Sequence, residues 1–196
     1  GDAGEKVPTF ESGRVFARRV QFGRLNAVVF AGMSDGRVLC LDGASLEVVR
    51  EVDAAGGGHS EQVSSLQFNA DKTLLITGSG DCTAKLWDPV DLKLLRTYKS
   101  PVPVHGAAIS PIMDHVFVAG GQHARDVAKT AASTAKFETR IYSLSDETEL
   151  ATIGGHFGPV NTLAIAPDGR SFVTGGEEAF IRLQFLPPAY YTLGVD

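Results

Sequence analysis

Cysteine is scarce in this sequence. Among 196 residues only Cys40 and Cys82 occur, each within an apolar run. Two distant thiols with no metal-ligand spacing exclude a disulfide framework and a cysteine-built metal site. They read as buried free thiols in a reducing compartment. Long apolar runs are missing as well. No stretch approaches the ~20 residues that a membrane-spanning helix needs, and the opening GDAGEKVPTF lacks the apolar segment of a signal peptide. Nor is there an excess of positive charge. The formal net charge is −5, and the densest basic groups (Arg14, Arg18, Arg19, Arg24 and Lys93, Arg96, Lys99) are short. They read as solvated faces, and a domain that tracks nucleic-acid phosphates is usually basic. Direct nucleic-acid contact is therefore not expected. The remaining composition, 43% hydrophobic and 21% charged, is that of a globular chain with a substantial core.

A repeat runs along the chain. GHSEQVSSLQFNADKTLLITGSGDCTAKLWD (58–88) aligns without a gap with the segment from GHFGPVNTLAIAPDG onward, pairing Val63 with Val160, Thr77 with Thr174 and Asp81 with Glu178. VHGAAISPIMDHVFVAGGQ (104–122) is a third copy, and AGMSDGRVLCLD (31–42) a weaker first one. Asp35, Asp81, Gln122 and Glu178 thus mark one position at intervals of about 40–55 residues. The last interval is lengthened by HARDVAKTAASTAK (123–136), which reads as an exposed loop between the second and third strands of its unit. Each unit holds short runs with period-two apolar alternation, bounded by Gly, Asp, Asn or Pro. VSSLQF, TLLITG, TAKLWD and KLLRTY predict four strands in the second unit; VNTLAIA, SFVTGG and FIRLQFL predict three in the last.

Four strands per unit, with Gly-His near one end and Trp-Asp near the other, resembles a blade of a WD-repeat β-propeller. The expected fold is all-β: about four blades of a seven-bladed propeller, over 1–52 (a partial blade), 53–99, 100–150 and 151–196, all in one domain. In that pattern His59 precedes the innermost strand, Thr77 lies on the second, Asp81 in the next turn and Trp87 on the third. The carboxylate pairs with the imidazole, the imidazole with the hydroxyl and the hydroxyl with the indole, so buried polar groups find partners. His156, Glu178 and Thr174 should repeat this, with Gln184 where Trp would stand. These residues read as structural. No second histidine stands at ligand spacing, and no Ser or Cys is placed beside a base. No catalytic, cofactor-binding or metal-binding residue is expected, and the Gly pairs 120–121 and 175–176 read as strand-end turns.

The second half carries more specific signals: GGQ (120–122), Ala124, Asp126-Val127, KFE (136–138), Arg140, GHFGPVN (155–161), GGEE (175–178), Arg182 and PAYY (188–191). These resemble the i subunit of eukaryotic translation initiation factor three, with this chain corresponding to its C-terminal four blades. The resemblance implies a non-catalytic, cytoplasmic scaffold subunit. It implies partners in the b and g subunits of the same factor and an indirect link to the small ribosomal (40S) subunit. A general WD-repeat adaptor in another cytoplasmic complex is the alternative, against which the insertion and the KFE block stand. Asp71, in the turn FNADKT, and Asp88, at the end of LWD, are expected on one rim. With Leu86 as apolar body, they would form a site for an amphipathic basic helix, where the resemblance places the C-terminal helix of the b subunit.

Overall fold

The computed structural model describes residues 14–122 and 137–194. Among these residues fifteen strands form four antiparallel sheets, each a simple meander. The first sheet contains β1 (Ala17–Phe22), β2 (Val28–Met33), β3 (Val38–Asp42) and β4 (Val48–Val52). In the second are β5 (Val63–Phe68), β6 (Leu75–Ser79), β7 (Thr83–Asp88) and β8 (Lys93–Lys99). The third holds β9 (Val104–Ile109), β10 (His115–Gly120), β11 (Thr139–Ser143) and β12 (Glu149–Ile153). The last has only β13 (Val160–Ile165), β14 (Ser171–Gly176) and β15 (Ile181–Phe185).

Two expectations change here. The first unit is a complete four-stranded sheet and not a partial one. Its two edge strands are exposed and have charged residues interrupting their apolar ones, β1 reading ARRVQF and β4 VVREV. Strand β12 spans the expected boundary at 150/151 and pairs with β11, so it belongs to the third sheet. The expected loop at 123–136 lies outside the described residues; the strands flanking it, β10 and β11, are paired neighbours.

Why the sheets stack is visible in how each strand divides its side chains. On β6, Leu75 faces the first sheet and joins Phe30, Val38, Leu66 and Trp87. Its neighbour Ile76 faces the third sheet, with Leu86, Tyr98, Val104 and Val116. Successive side chains point to opposite faces of a strand, so a sheet apolar on both faces needs a neighbour on each side. That explains the near-continuous burial of β6 and β10. A third cluster, with Phe117, Ile141, Leu163, Phe172 and Tyr190, joins the third sheet to the last.

A close approach between sheets repeats in register. A Cβ added at Gly32 on β2 would lie 2.5 Å from Cγ1 of Val63, at the start of β5. One added at Gly78 on β6 would lie 2.6 Å from Cγ1 of Val104, at the start of β9. In the corresponding positions of the next pair, Ala119 and Val160 share one cluster. Each of the three valines is fully buried. Serines reinforce the joint: Ser64 donates to the Val104 carbonyl, and Ser65 Oγ accepts the Ala107 N–H at 3.1 Å. Farther out, Tyr98 donates to the Leu144 carbonyl at 2.9 Å and Tyr142 to the Lys99 carbonyl at 2.8 Å. At the centre, Gln67 of β5 donates to the Leu163 carbonyl of β13 at 2.8 Å.

Two faces are left over. On the first sheet Phe16, Val20 and Phe22 are exposed. On β15 every second residue is open, with Ile181 80% and Phe185 75% exposed. Interior sheets have no room to spare, so Gly78→Ala is expected to lower stability by about 1–3 kcal/mol through overpacking against Val104. A urea titration reads this as a lower midpoint at unchanged slope, and an unchanged midpoint would show that the joint gives way freely.

Candidate functional site

The four residues singled out in the second unit meet at one end of its sheet. His59 stands just before β5 and Asp81 in the turn between β6 and β7, so the antiparallel reversal brings them to the same rim. His59 Nδ1 lies 2.9 Å from Asp81 Oδ2, and His59 Nε2 lies 2.8 Å from Thr77 Oγ1. Trp87 Nε1 donates to the same Thr77 oxygen at 2.8 Å. One proton arrangement satisfies every contact: indole N–H to hydroxyl oxygen, hydroxyl O–H to Nε2, and Nδ1–H to carboxylate. His59, Thr77 and Trp87 are fully buried. Asp81 also accepts from the Ser60 and Thr83 backbone N–H groups, and from the Thr83 hydroxyl at 2.6 Å. Burial pushes the Asp81 carboxyl up, but the hydrogen bonds from His59 and Thr83 outweigh it. They hold the carboxyl well below the usual carboxylate range.

The last unit repeats half of this. His156 Nδ1 is 2.5 Å from Glu178 Oε1, and its Nε2 is 2.7 Å from Thr174 Oγ1. No indole completes the chain. Gln184 turns away and donates weakly to the Gly154 carbonyl at 3.4 Å, leaving its own Oε1 buried and unpartnered. Both imidazoles are thus committed to framework contacts. The other two described histidines bond backbone carbonyls: His105 Nε2 to Gly121, and His115 Nε2 to Leu193. Among the described residues no group of three or more His, Cys, Asp or Glu gathers as a metal site would require.

The opposite rim carries the residues expected to meet a partner. Asp71 is exposed in the β5–β6 turn, where it accepts from the Thr73 hydroxyl at 3.0 Å. Asp88 closes β7 and accepts the Val90 N–H at 2.8 Å. Both turns do emerge at one rim, but the two acids do not share a groove. Asp71 lines a cleft of about 370 Å³ between the second and third sheets, with Leu74, Pro111, Met113, Asp114 and Leu144. Asp88 lines a separate cleft of about 500 Å³ between the first and second sheets. The β5–β6 turn borders both clefts, with Asp71 on the side of the third sheet and Lys72 on the side of the first, whereas Asp88 lines only the latter. Leu86, expected to present apolar surface here, is only 3% exposed and sits in the core facing the third sheet. It is unavailable to a partner, and Trp87 beside it is fully buried toward the first sheet.

The family model for "WD domain, G-beta repeat" matches residues 53–88 and 147–183. The chain thus carries WD repeats at these residues. It is 41% identical over 170 residues to "Eukaryotic translation initiation factor 3 subunit I" of Culex quinquefasciatus, covering 87% of this chain and 51% of that protein. The protein of the same name from Xenopus tropicalis is 38% identical over 186 residues, 95% of this chain and 55% of that one. The one from Drosophila melanogaster is 41% identical over 170 residues. The chain spans about half the length of these relatives. The first WD match contains His59, Thr77, Asp81 and Trp87 in full. The second contains His156, Thr174 and Glu178 and stops one residue before Gln184, where the network itself breaks off.

These hydrogen bonds tie the segment before β5 to β6, β7 and the turn between them as a clamp, and its acid sensitivity has a definite sign. Because the folded Asp81 carboxyl is depressed, its contribution is present above the unfolded value of about 3.9 and fades as pH falls from there. Asp81→Ala is expected to cost about 1–3 kcal/mol at pH 7 by orphaning buried donors. Denaturant midpoints should show that gap narrowing as pH drops below about 4. A gap constant down to pH 3 would mean that Asp81 carries no special share of acid stability.

Proposed function

We propose that this chain is part of a non-catalytic, cytoplasmic scaffold subunit of eukaryotic translation initiation factor 3. It binds the b and g subunits of that factor and supports assembly of the initiation complex on the small ribosomal subunit. The observation that carries this reading is the identity of about 40% to proteins named as that factor's subunit I, sustained over 87–95% of the chain. The four sheets are then consecutive blades of a seven-bladed propeller. This is supported by the half-length coverage of the relatives and by the apolar faces left open on the first and last sheets. The histidines serve the framework, which fits a subunit that works through its surfaces and not through bond making.

The basic helix of the b subunit docks in the cleft of Asp71. There Asp114, across the groove on the third sheet, supplies the second carboxylate in place of Asp88, and Leu74, Met113 and Leu144 supply the apolar seat. Long-range attraction between unlike charges speeds and orients such docking, and salt weakens it. The test uses the full-length subunit and the C-terminal helix of the b subunit. Asp71→Lys with Asp114→Lys should weaken binding about tenfold and flatten its salt dependence, while Asp88→Lys changes it less than about twofold. The reverse ranking would move the site to the neighbouring cleft, and no effect from either would remove it from this rim.

A further inference from the structure

The cleft beside Asp88 has the opposite character to the one beside Asp71. It runs between the first and second sheets at the same rim, with a volume of about 500 Å³. Clefts of roughly 300–1,000 Å³ are the usual size for holding a ligand or a few side chains. Val28, Phe30, Phe68 and Val90 form its apolar lining, and Val90 at the lip is 72% exposed. Three cations surround it: Arg24 from the β1–β2 connection, Arg50 from β4 and Lys72 from the β5–β6 turn. Asp88 is the one acid among the lining residues, and its Oδ1 already holds the Val90 N–H.

None of these cations has a carboxylate partner among the described residues. Lys72 Nζ donates to the Phe22 and Gly23 carbonyls at 3.0 and 3.1 Å, which pins it over the joint between the sheets. Arg50 lies beside the Cys40 thiol, which burial pushes up and the arginine's charge only partly offsets, so the thiol stays neutral and does not balance that charge. A chain with net charge −5 has acids in excess to pair with surface cations, yet here it leaves three of them converging on an apolar seat. Guanidinium groups recognise carboxylates through paired N–H donors, and they do so most strongly where neighbouring apolar surface displaces water.

We propose that this cleft is a second docking site, which takes an acidic peptide segment bearing an apolar anchor. The anchor side chain sits on Val28, Phe68 and Val90, and flanking carboxylates meet Arg24 and Arg50. The two clefts on this rim then select segments of opposite charge, so neither occupant competes for the other's seat. A nucleic-acid strand is the less suitable occupant. Phosphate binding draws on a track of cations along a backbone, whereas these three ring a compact apolar floor.

The test uses the full-length subunit and fluorescence anisotropy of a labelled peptide, six glutamates flanking a central leucine–phenylalanine pair. A lysine-for-glutamate twin and a twelve-nucleotide uridine RNA serve as comparisons. The acidic peptide should bind the unaltered protein. Arg24→Glu combined with Arg50→Glu should weaken it about tenfold and shift preference to the lysine twin. Val90→Asp should weaken the acidic peptide without creating that shift. Arg50→Gln, a milder change at an exposed position, should weaken it in the same direction and guards against misfolding of the double variant. Asp71→Lys with Asp114→Lys should leave this peptide unaffected, which separates failure here from failure of the basic-helix site. Unchanged peptide binding in both arginine variants overturns the proposal. So does RNA binding that is tighter than peptide binding and lost with the same arginines, which would mark a phosphate patch.

Discussion

The contact on which the rest of the molecule depends is the seat of one sheet's first strand on the second strand of the sheet before it. Gly32 receives Val63, Gly78 receives Val104, and Ala119 stands in the same relation to Val160. A larger residue at any of these points would hold two backbones apart and open a gap that the flanking side chains could not fill at protein packing density. With the gap closed, both faces of a sheet are buried. The serine bonds to the next strand and the tyrosine bonds farther out then fall into place. The same logic makes the ends of the stack incomplete. The first sheet and β15 present apolar residues that the interior sheets would have covered.

The hydrogen-bonded clamp solves a different problem. Close stacking traps a threonine hydroxyl, an imidazole and an indole N–H away from water, where each needs a partner. His59, Thr77, Trp87 and Asp81 satisfy one another in a single chain, ending on a carboxylate near the surface that several donors keep ionised. In the last sheet Gln184 replaces the indole, and buried atoms of Gln184, Arg182 and Glu178 go unpartnered around it. The weakened clamp lies in the three-stranded sheet with the open edge, so both defects fall at the same end of the chain.

Rim chemistry follows from the meander. Each four-stranded unit sends two turns to one rim, and in the second unit the β5–β6 turn borders a cleft on each side. The second unit is thus flanked by two clefts at this rim, and the lining residues give each cleft its own sign. Asp71 faces Asp114 in one; Asp88 faces Arg24, Arg50 and Lys72 in the other.

The sequence by itself determined the repeat, the all-β class, the strands of the second unit to within about two residues and the membership of each clamp. These are local or periodic properties: alternation along a strand, turn residues at constant offsets, and a histidine, threonine, acid and tryptophan at repeated spacing. It also carried the missing indole at Gln184. Other features were invisible in one dimension. The first unit looked partial because β1 and β4 are exposed edge strands whose apolar residues are interrupted by charged ones. Leu86 was expected to supply apolar surface because it lies close to Asp88 at the end of its strand, yet alternation alone does not say that the face it occupies is covered by the third sheet. Only the tertiary structure decided that Asp71 and Asp88 look into different clefts, and that Arg24, Arg50 and Lys72, far apart in sequence, converge beside one of them. Which cleft a turn's side chain enters depends on stacking between units, and no spacing within a unit encodes it.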